Sequence, residues 1–197
     1  MTANVPSEPR RVAAVTLARA QEGDRAAVAE LVAHLARPVH ALVARIAGPR
    51  RDLVDDAAQD AFVHIVRGLR RFDPAGPARL ETWALTIATR ATIDRLRQAD
   101  RSQRHLVTVP APPDQAALGP SPEHTADLRE RGARVAAALA TLSAEHRAVL
   151  ILRAQHDLDY PEIASATGLT LGTVKSRLAR ARAALREALG EEDPYAT

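Results

Sequence analysis

The sequence contains no cysteine. That excludes disulfides, thiolate zinc sites and thiol chemistry, and it suits a reducing cytoplasm. Aromatic residues are also scarce, at 3% of 197 residues. Runs of alternating Val, Ile and Thr, which mark strands, are few. Lysine is nearly missing: Lys175 stands alone among 27 basic residues, so the others are arginines. No run approaches the roughly 20 apolar residues that span a bilayer. The polar stretch Met1 to Arg10 lacks the apolar core of a signal peptide, so none is expected. No Gly-rich phosphate loop occurs, and the seven histidines (34, 40, 64, 105, 124, 146 and 156) show no metal-ligand spacing. An enzyme is therefore not expected, and no catalytic residue, metal or cofactor is assigned.

What is present points to an all-helical protein. Apolar residues make up 46% of the chain, enough to bury a core, and Ala and Leu dominate. The formal net charge of +3 is too small to argue for nucleic acid by itself. Only the local placement of charge can make that argument.

The pattern divides the chain into two small helical domains joined by a Pro-rich linker. Residues 1–10 read as a disordered tail and 11–98 as the first domain. A helical pattern runs to Gly48, interrupted at Gly23-Asp24 and kinked or divided at Pro38. A further helix is expected from about Asp52 to Arg71, with Val54, Ala58, Ala61, Phe62, Ile65 and Leu69 on its apolar side. Its other side carries Asp52, Asp56, Gln59, Asp60 and Arg67. Two prolines and a glycine make Phe72 to Pro77 a loop. The next helix, Leu80 to Gln98, buries Trp83, Ala84, Ile87 and Ala91. Arg90, Asp94, Arg97 and Arg101 lie along another face, where Asp94 can pair with Arg90 or Arg97. Residues 99–125 hold Pro110, Pro112, Pro113, Pro120 and Pro122 and read as an extended linker. The second domain is placed at 126–190 and a tail at 191–197.

The second domain shows four helical segments. One runs from Ala126 to Thr141, and a second is capped by Ser143 and ends near Arg153. A short third has Pro161 in its first turn and ends at Gly168. The last, capped by Thr170, covers Leu171 to Leu189. Short helix, glycine turn and longer helix are the parts of a helix-turn-helix. Ile163, Ala164, Leu169, Val174 and Leu178 form its expected core. Leu171, Val174, Leu178, Ala181, Leu185 and Leu189 make the apolar stripe of the last helix. Between Thr173 and Arg186 there are five bases and no acid. Such a helix suits the major groove of DNA. Thr173, Ser176, Arg177 and Arg180 are the candidates to reach bases, with Lys175 and Arg182 on phosphates.

Several segments, in order, resemble region two of the extracytoplasmic-function (ECF) sigma factors. They are Asp55-Asp-Ala-Ala-Gln-Asp-Ala-Phe, Arg67-Gly-Leu-Arg-Arg-Phe-Asp, Thr82-Trp, Ile87-Ala and Ile93-Asp-Arg-Leu-Arg. Leu142-Ser-Ala-Glu-His-Arg-Ala-Val-Leu and Gly172-Thr-Val-Lys-Ser-Arg are similar to region four of that family. The resemblance implies a transcription initiation factor of the cytoplasm whose partners are core RNA polymerase, promoter DNA and an anti-sigma protein, without membrane insertion. It implies that Asp52, Asp56, Gln59, Asp60 and Arg67 dock on polymerase. It further implies that Arg79, Trp83, Arg90 and Arg97 bind the −10 element, and that the last helix reads the −35 element. The loop before Leu80 would capture a base flipped from the strand. Departures from the family pattern include Val66 in place of an aromatic, Leu85-Thr86 near the Trp, and Thr89-Arg90.

Two other classes compete. A stand-alone helix-turn-helix regulator would normally dimerise and sense a ligand, and no sensor domain or sustained heptad is visible. It would also leave the acidic helix unexplained. An enzyme lacks a recognisable chemical constellation in this sequence.

Overall fold

The computed structural model describes residues 14–103 and 124–189, and every regular element among them is helical. The order is α1 (Ala14–Gln21), α2 (Arg25–Ala47), α3 (Val54–Gly68), α4 (Leu80–Gln103), α5 (His124–Thr141), α6 (Ala144–Gln155), α7 (Tyr160–Thr167) and α8 (Leu171–Leu189). Single 3₁₀ turns, Arg51–Leu53 and Leu69–Arg71, flank α3. The tails expected at 1–10 and 191–197 lie outside the described residues, as does the middle of the expected linker. Its edges are corrected: α4 continues to Gln103 and α5 already begins at His124.

Local chemistry sets most boundaries. The Asp24 carboxylate accepts from the Ala26 and Ala27 amides at 2.8 and 3.2 Å, which caps α2, and Arg19 pairs with the same carboxylate. Ala27, Leu31, Leu35, Val39, Leu42, Val43 and Ile46 of α2 are buried at three- and four-residue spacing. Pro38 neither divides nor ends this helix. It removes one intrahelical donor, while buried Leu35, Val39 and Leu42 on either side hold the helix against its neighbours.

α2 also corrects the expectation about apolar runs, since it is long and apolar enough to cross a membrane. It nevertheless carries Arg25, Glu30, Arg37 and Arg45, and its stripe packs on α1, α3, α4 and α6. It is the central helix of the core.

α4 is covered more widely than expected. Of the expected stripe only Ala84 is fully buried; Trp83, Ile87 and Ala91 are half-buried. Leu85, Ala88, Thr89, Thr92, Ile93 and Leu96 are buried instead. The reason is tertiary: α2 and α3 cover one side of α4, and α6 and α7 cover another. The buried Thr89 and Thr92 hydroxyls donate to the Leu85 and Ala88 carbonyls at 2.8 and 2.7 Å, so no polar group is stranded.

In the second domain Ser143 caps α6. α7 begins with a capping box in which the Glu162 amide donates to Asp159 and the Asp159 amide donates to Glu162, both at 2.8 Å. Gly168 ends α7 in the left-handed region at φ +71°, which lets the chain turn directly into α8. One continuous apolar cluster runs from Leu35, Leu42 and Ile46 through Leu85, Ile93 and Leu96 to Leu142, Leu152, Ile163 and Leu178. The two domains therefore share a core. A smaller cluster of Leu17, Leu31, Leu69, Phe72 and Leu80 sits beyond Trp83, which touches both.

Candidate nucleic-acid interface

The helix-turn-helix is built on Ile163, Ala166, Val174, Leu178 and Ala181, all fully buried. Ala164 and Leu169 are half-buried at its margin, and so are Leu185 and Leu189. Leu171, expected on the apolar stripe of α8, is 45% exposed, because it precedes the first turn that packs. Lys175, Ser176, Arg180 and Arg182 are exposed on the outer side of α8, so a positive surface faces solvent. The Thr170 hydroxyl accepts from the Thr173 amide at 3.3 Å and caps the helix. The Thr173 and Thr170 hydroxyls lie 2.9 Å apart, and the Ser176 hydroxyl donates to the Thr173 carbonyl at 3.0 Å.

Arg177 is placed differently from its neighbours. It is half-buried, and its Nη1 is buried with no hydrogen-bond partner. Its charge acts on Glu145 and His146 of α6. Burial disfavours ionisation of Glu145, but the bond from Arg97, then the charges of Arg97 and Arg177, outweigh it and hold the carboxyl below its usual range.

The loop before α4 is compact. The Asp73 carboxylate accepts from the Ala75 amide at 2.9 Å, and the Gly76 amide donates to the Asp73 carbonyl at 3.1 Å. Phe72 is buried against Trp83, with ring centroids 5.1 Å apart. Trp83 also lies over Gly68, where a Cβ would stand 2.9 Å from its ring. The indole is thus part of the packing that fixes the loop on α4. Arg79 is exposed at the start of α4.

The acidic side of α3 is partly neutralised from within. Arg95 of α4 bonds Asp56 and reaches Asp60 at 3.6 Å, which raises the guanidinium pKa above its ordinary value. Arg50 bonds Asp52 at 3.1 Å, and that bond holds the Asp52 carboxyl below its usual range. Gln59 and Arg67 are exposed. Val63 and Val66 are also exposed on α3. Val66 and Arg70 line an apolar groove of about 430 Å³ with Ala20, Val28 and Val32.

Of the four −10 candidates, two contact the second domain. Arg90 bonds the Ser165 and Ala166 carbonyls of α7, and Arg97 bonds Glu145 of α6 at 3.0 Å. Arg97 also reaches Asp94, at 3.9 Å. Of the two pairings expected for Asp94, the one with Arg97 forms, while Arg90 turns to the α7 carbonyls.

Sequence reasoning assigned no role to Arg147, which is only 5% exposed and lies between the domains. The available signal was an arginine directly before the apolar run from Ala148 to Leu152.

A family model for Sigma-70 region 2 matches residues 31–102, and one for Sigma-70 region 4 matches residues 133–185. The chain is 33% identical over 173 residues to ECF RNA polymerase sigma factor SigE of Mycolicibacterium smegmatis. That match covers 86% of this chain and 65% of SigE. Identity is also 33% over 168 residues to ECF RNA polymerase sigma factor RpoE of Cereibacter sphaeroides, covering 83% of this chain and 87% of that protein. RNA polymerase sigma factor CnrH of Cupriavidus metallidurans is 33% identical over 185 residues, covering 91% and 94%. Among solved structures, CnrH in complex with the cytosolic domain of CnrY aligns with a TM-score of 0.59 at 28% identity. That alignment covers 93% of this chain and 100% of the matched chain in that structure. The sigma factor RpoE of Bartonella quintana, in complex with the anti-sigma factor NepR, shares the fold with a TM-score of 0.64 at 23% identity, covering 83% and 97%.

Proposed function

The chain belongs to the ECF sigma factors, and on that premise we propose that it binds core RNA polymerase and directs it to promoters by reading two DNA elements. The observation that carries the reading is the pairing of two domains in one chain. A helix-turn-helix with a basic outer face follows a domain that bears both an acidic helix and an arginine-bearing helix. The chain has no chemistry of its own in this role. It works in the cytoplasm, and an anti-sigma protein is its expected inhibitor.

Each surface has a part. Asp52, Asp56, Gln59, Asp60 and Arg67 dock on a basic surface of polymerase, where charge complementarity sets register and on-rate. The exposed Val63 and Val66 supply apolar area beside that charge. Arg79, Arg90 and Arg97 hold the phosphates of the opened −10 strand, and Trp83 supports the loop that receives an unstacked base. Thr173, Lys175, Ser176, Arg177, Arg180 and Arg182 serve the −35 element in the major groove. Neither contact needs to be strong alone, because polymerase holds both readers at a fixed spacing.

Reconstitution with core polymerase and genomic DNA tests this reading. The expected result is a stable complex that starts transcripts at a defined set of promoters. Failure to bind core and to give promoter-specific transcripts would overturn it. A dimer binding a palindromic duplex without polymerase would place the chain among stand-alone regulators instead.

A further inference from the structure

α1 carries none of the assigned docking or DNA-binding residues, yet its last residue reaches the loop before α4. The Gln21 Nε2 donates to the Leu69 carbonyl at 3.0 Å and to the Phe72 carbonyl at 2.6 Å. One side-chain amide thus spends both of its protons on that loop's root. Leu69 opens the 3₁₀ turn after α3, and Phe72 is the first extended residue beyond it, at φ −69° and ψ 124°. The turn packs on α1 as well as on α3, from which it continues. Leu17 and Ala20 of α1 are buried with Leu69, Phe72 and Leu80 in the smaller apolar cluster. Past this root the loop meets solvent: Asp73, Pro74, Ala75 and Pro77 are exposed.

We propose that Gln21 is a positioning residue for promoter opening, whose amide sets the direction in which the chain leaves the 3₁₀ turn and so preforms the loop from Asp73 to Arg79 for an unstacked base. The inference rests on the assignment of that loop to the −10 element and deepens it.

Two contacts hold the root, and they act differently. The packing of Phe72 on Trp83 fixes where the root sits, but apolar contact has no direction. A hydrogen bond to a carbonyl is directional. Within the turn, the Phe72 amide donates to the Leu69 carbonyl at 3.1 Å. The bond from Gln21 to the Phe72 carbonyl then orients the peptide plane that leads into Asp73. From there the Asp73 turn braces the tip internally, so the orientation set at Phe72 carries through to it. Unstacking a base already costs free energy before the loop can hold it. A loop that must also be ordered on binding takes that ordering out of the affinity. Loss of the Gln21 donors is therefore felt at base capture and not at duplex reading by α8.

Two variants test this. Gln21→Met keeps the length of the side chain and a good helix former but has no donor. Gln21→Glu keeps the shape and turns acceptors toward both carbonyls. In the full chain, exchange of the Phe72, Ala75 and Gly76 amides is expected to quicken by about tenfold in both variants. Holoenzyme binding is then measured on the strongest promoter mapped by reconstitution, carrying a pre-opened −10 segment. Each non-template base of that segment is replaced in turn by an abasic site. In the unaltered holoenzyme one abasic site should stand out, at a cost of about tenfold in affinity, and in both variants that cost should fall to about twofold. The costs of the other abasic sites and the affinity for core polymerase should not change. Equal abasic costs with and without the Gln21 donors would reduce Gln21 to a stability residue and overturn the inference. Unchanged exchange at the three amides would overturn it too. If the unaltered holoenzyme starts no promoter-specific transcripts, or no abasic site stands out, the assignment of the loop fails and the inference falls with it; the exchange rates then report the anchor alone.

Discussion

Gly48 and Arg147 are packed so closely that a Cβ on residue 48 would lie 2.8 Å from the Arg147 Cζ. Gly48 also holds φ +61° at the end of α2, where its amide donates to the Ala44 carbonyl at 3.0 Å. One position therefore meets two demands, a left-handed backbone and room for a guanidinium from the other domain. Gly48→Ala is expected to destabilise the protein by about 2 kcal/mol, from strain and displacement of Arg147 together. Gly132→Ala is its control. Gly132 lies inside α5 with nothing near its absent Cβ, and the alanine should stabilise by roughly 0.5–1 kcal/mol. Denaturant unfolding of the two variants checks both signs.

The α7 capping box ties Asp159 to Glu162 through two reciprocal bonds. Asp159→Ala should cost about 1 kcal/mol and fray the first turn of the helix-turn-helix. Amide hydrogen exchange should show faster exchange confined to the start of α7. Unchanged protection of the Glu162 amide would contradict the capping role.

Among the α8 bases, Arg180 and Arg182 are exposed while Arg177 is folded toward α6. Arg180→Ala and Arg182→Ala should weaken promoter-duplex binding by the holoenzyme without affecting core binding. A residue that contacts phosphate should also lower the slope of log affinity against log salt by about 1. Fluorescence anisotropy across a salt series measures this. Arg177→Ala should in addition shift the titration of His146, because its charge is among the causes that lower that pKa.

Two imidazoles make stability depend on pH. Burial, then the charge of Arg45, pushes His156 below the ordinary 6.5. Burial, then Arg177, does the same for His146, with Glu145 opposing and Arg180 adding. Both Nε2 atoms are buried without a hydrogen-bond partner. At mildly acidic pH the unfolded chain binds more protons at these sites than the folded one. Their contribution is therefore complete above pH 6.5 and is lost as pH falls through the lower folded values. Thermal midpoints should drop between roughly pH 7 and pH 5, and His156→Gln should flatten that drop. An equal slope in the variant would remove His156 from the account.

The helices and their ends were largely legible in the sequence because their causes are local. Ser143, Pro161, Gly168 and Thr170 act within a turn of their own positions, and α8 spans Leu171–Leu189 as its periodicity requires. The basic outer face of α8 and the acidic side of α3 are likewise matters of spacing along one helix. The family resemblance was legible as well, because its motifs follow in order along the chain. Partner-dependent properties were not legible. Arg147 is buried because carbonyls a hundred residues away, at Ile46 and Ala47, complete its hydrogen bonds. The second buried face of α4, the inward turn of Arg177 and the neutralisation of Asp56 and Asp60 by Arg95 have the same origin. Periodicity reports which side of a helix is apolar, whereas only the assembled fold decides what a charged side chain meets there. The sequence by itself determined two helical domains, one of them carrying a basic reading helix. The tertiary structure decided that these domains pack on each other, with the exposed Arg90 and Arg97 of α4 bonded across the seam.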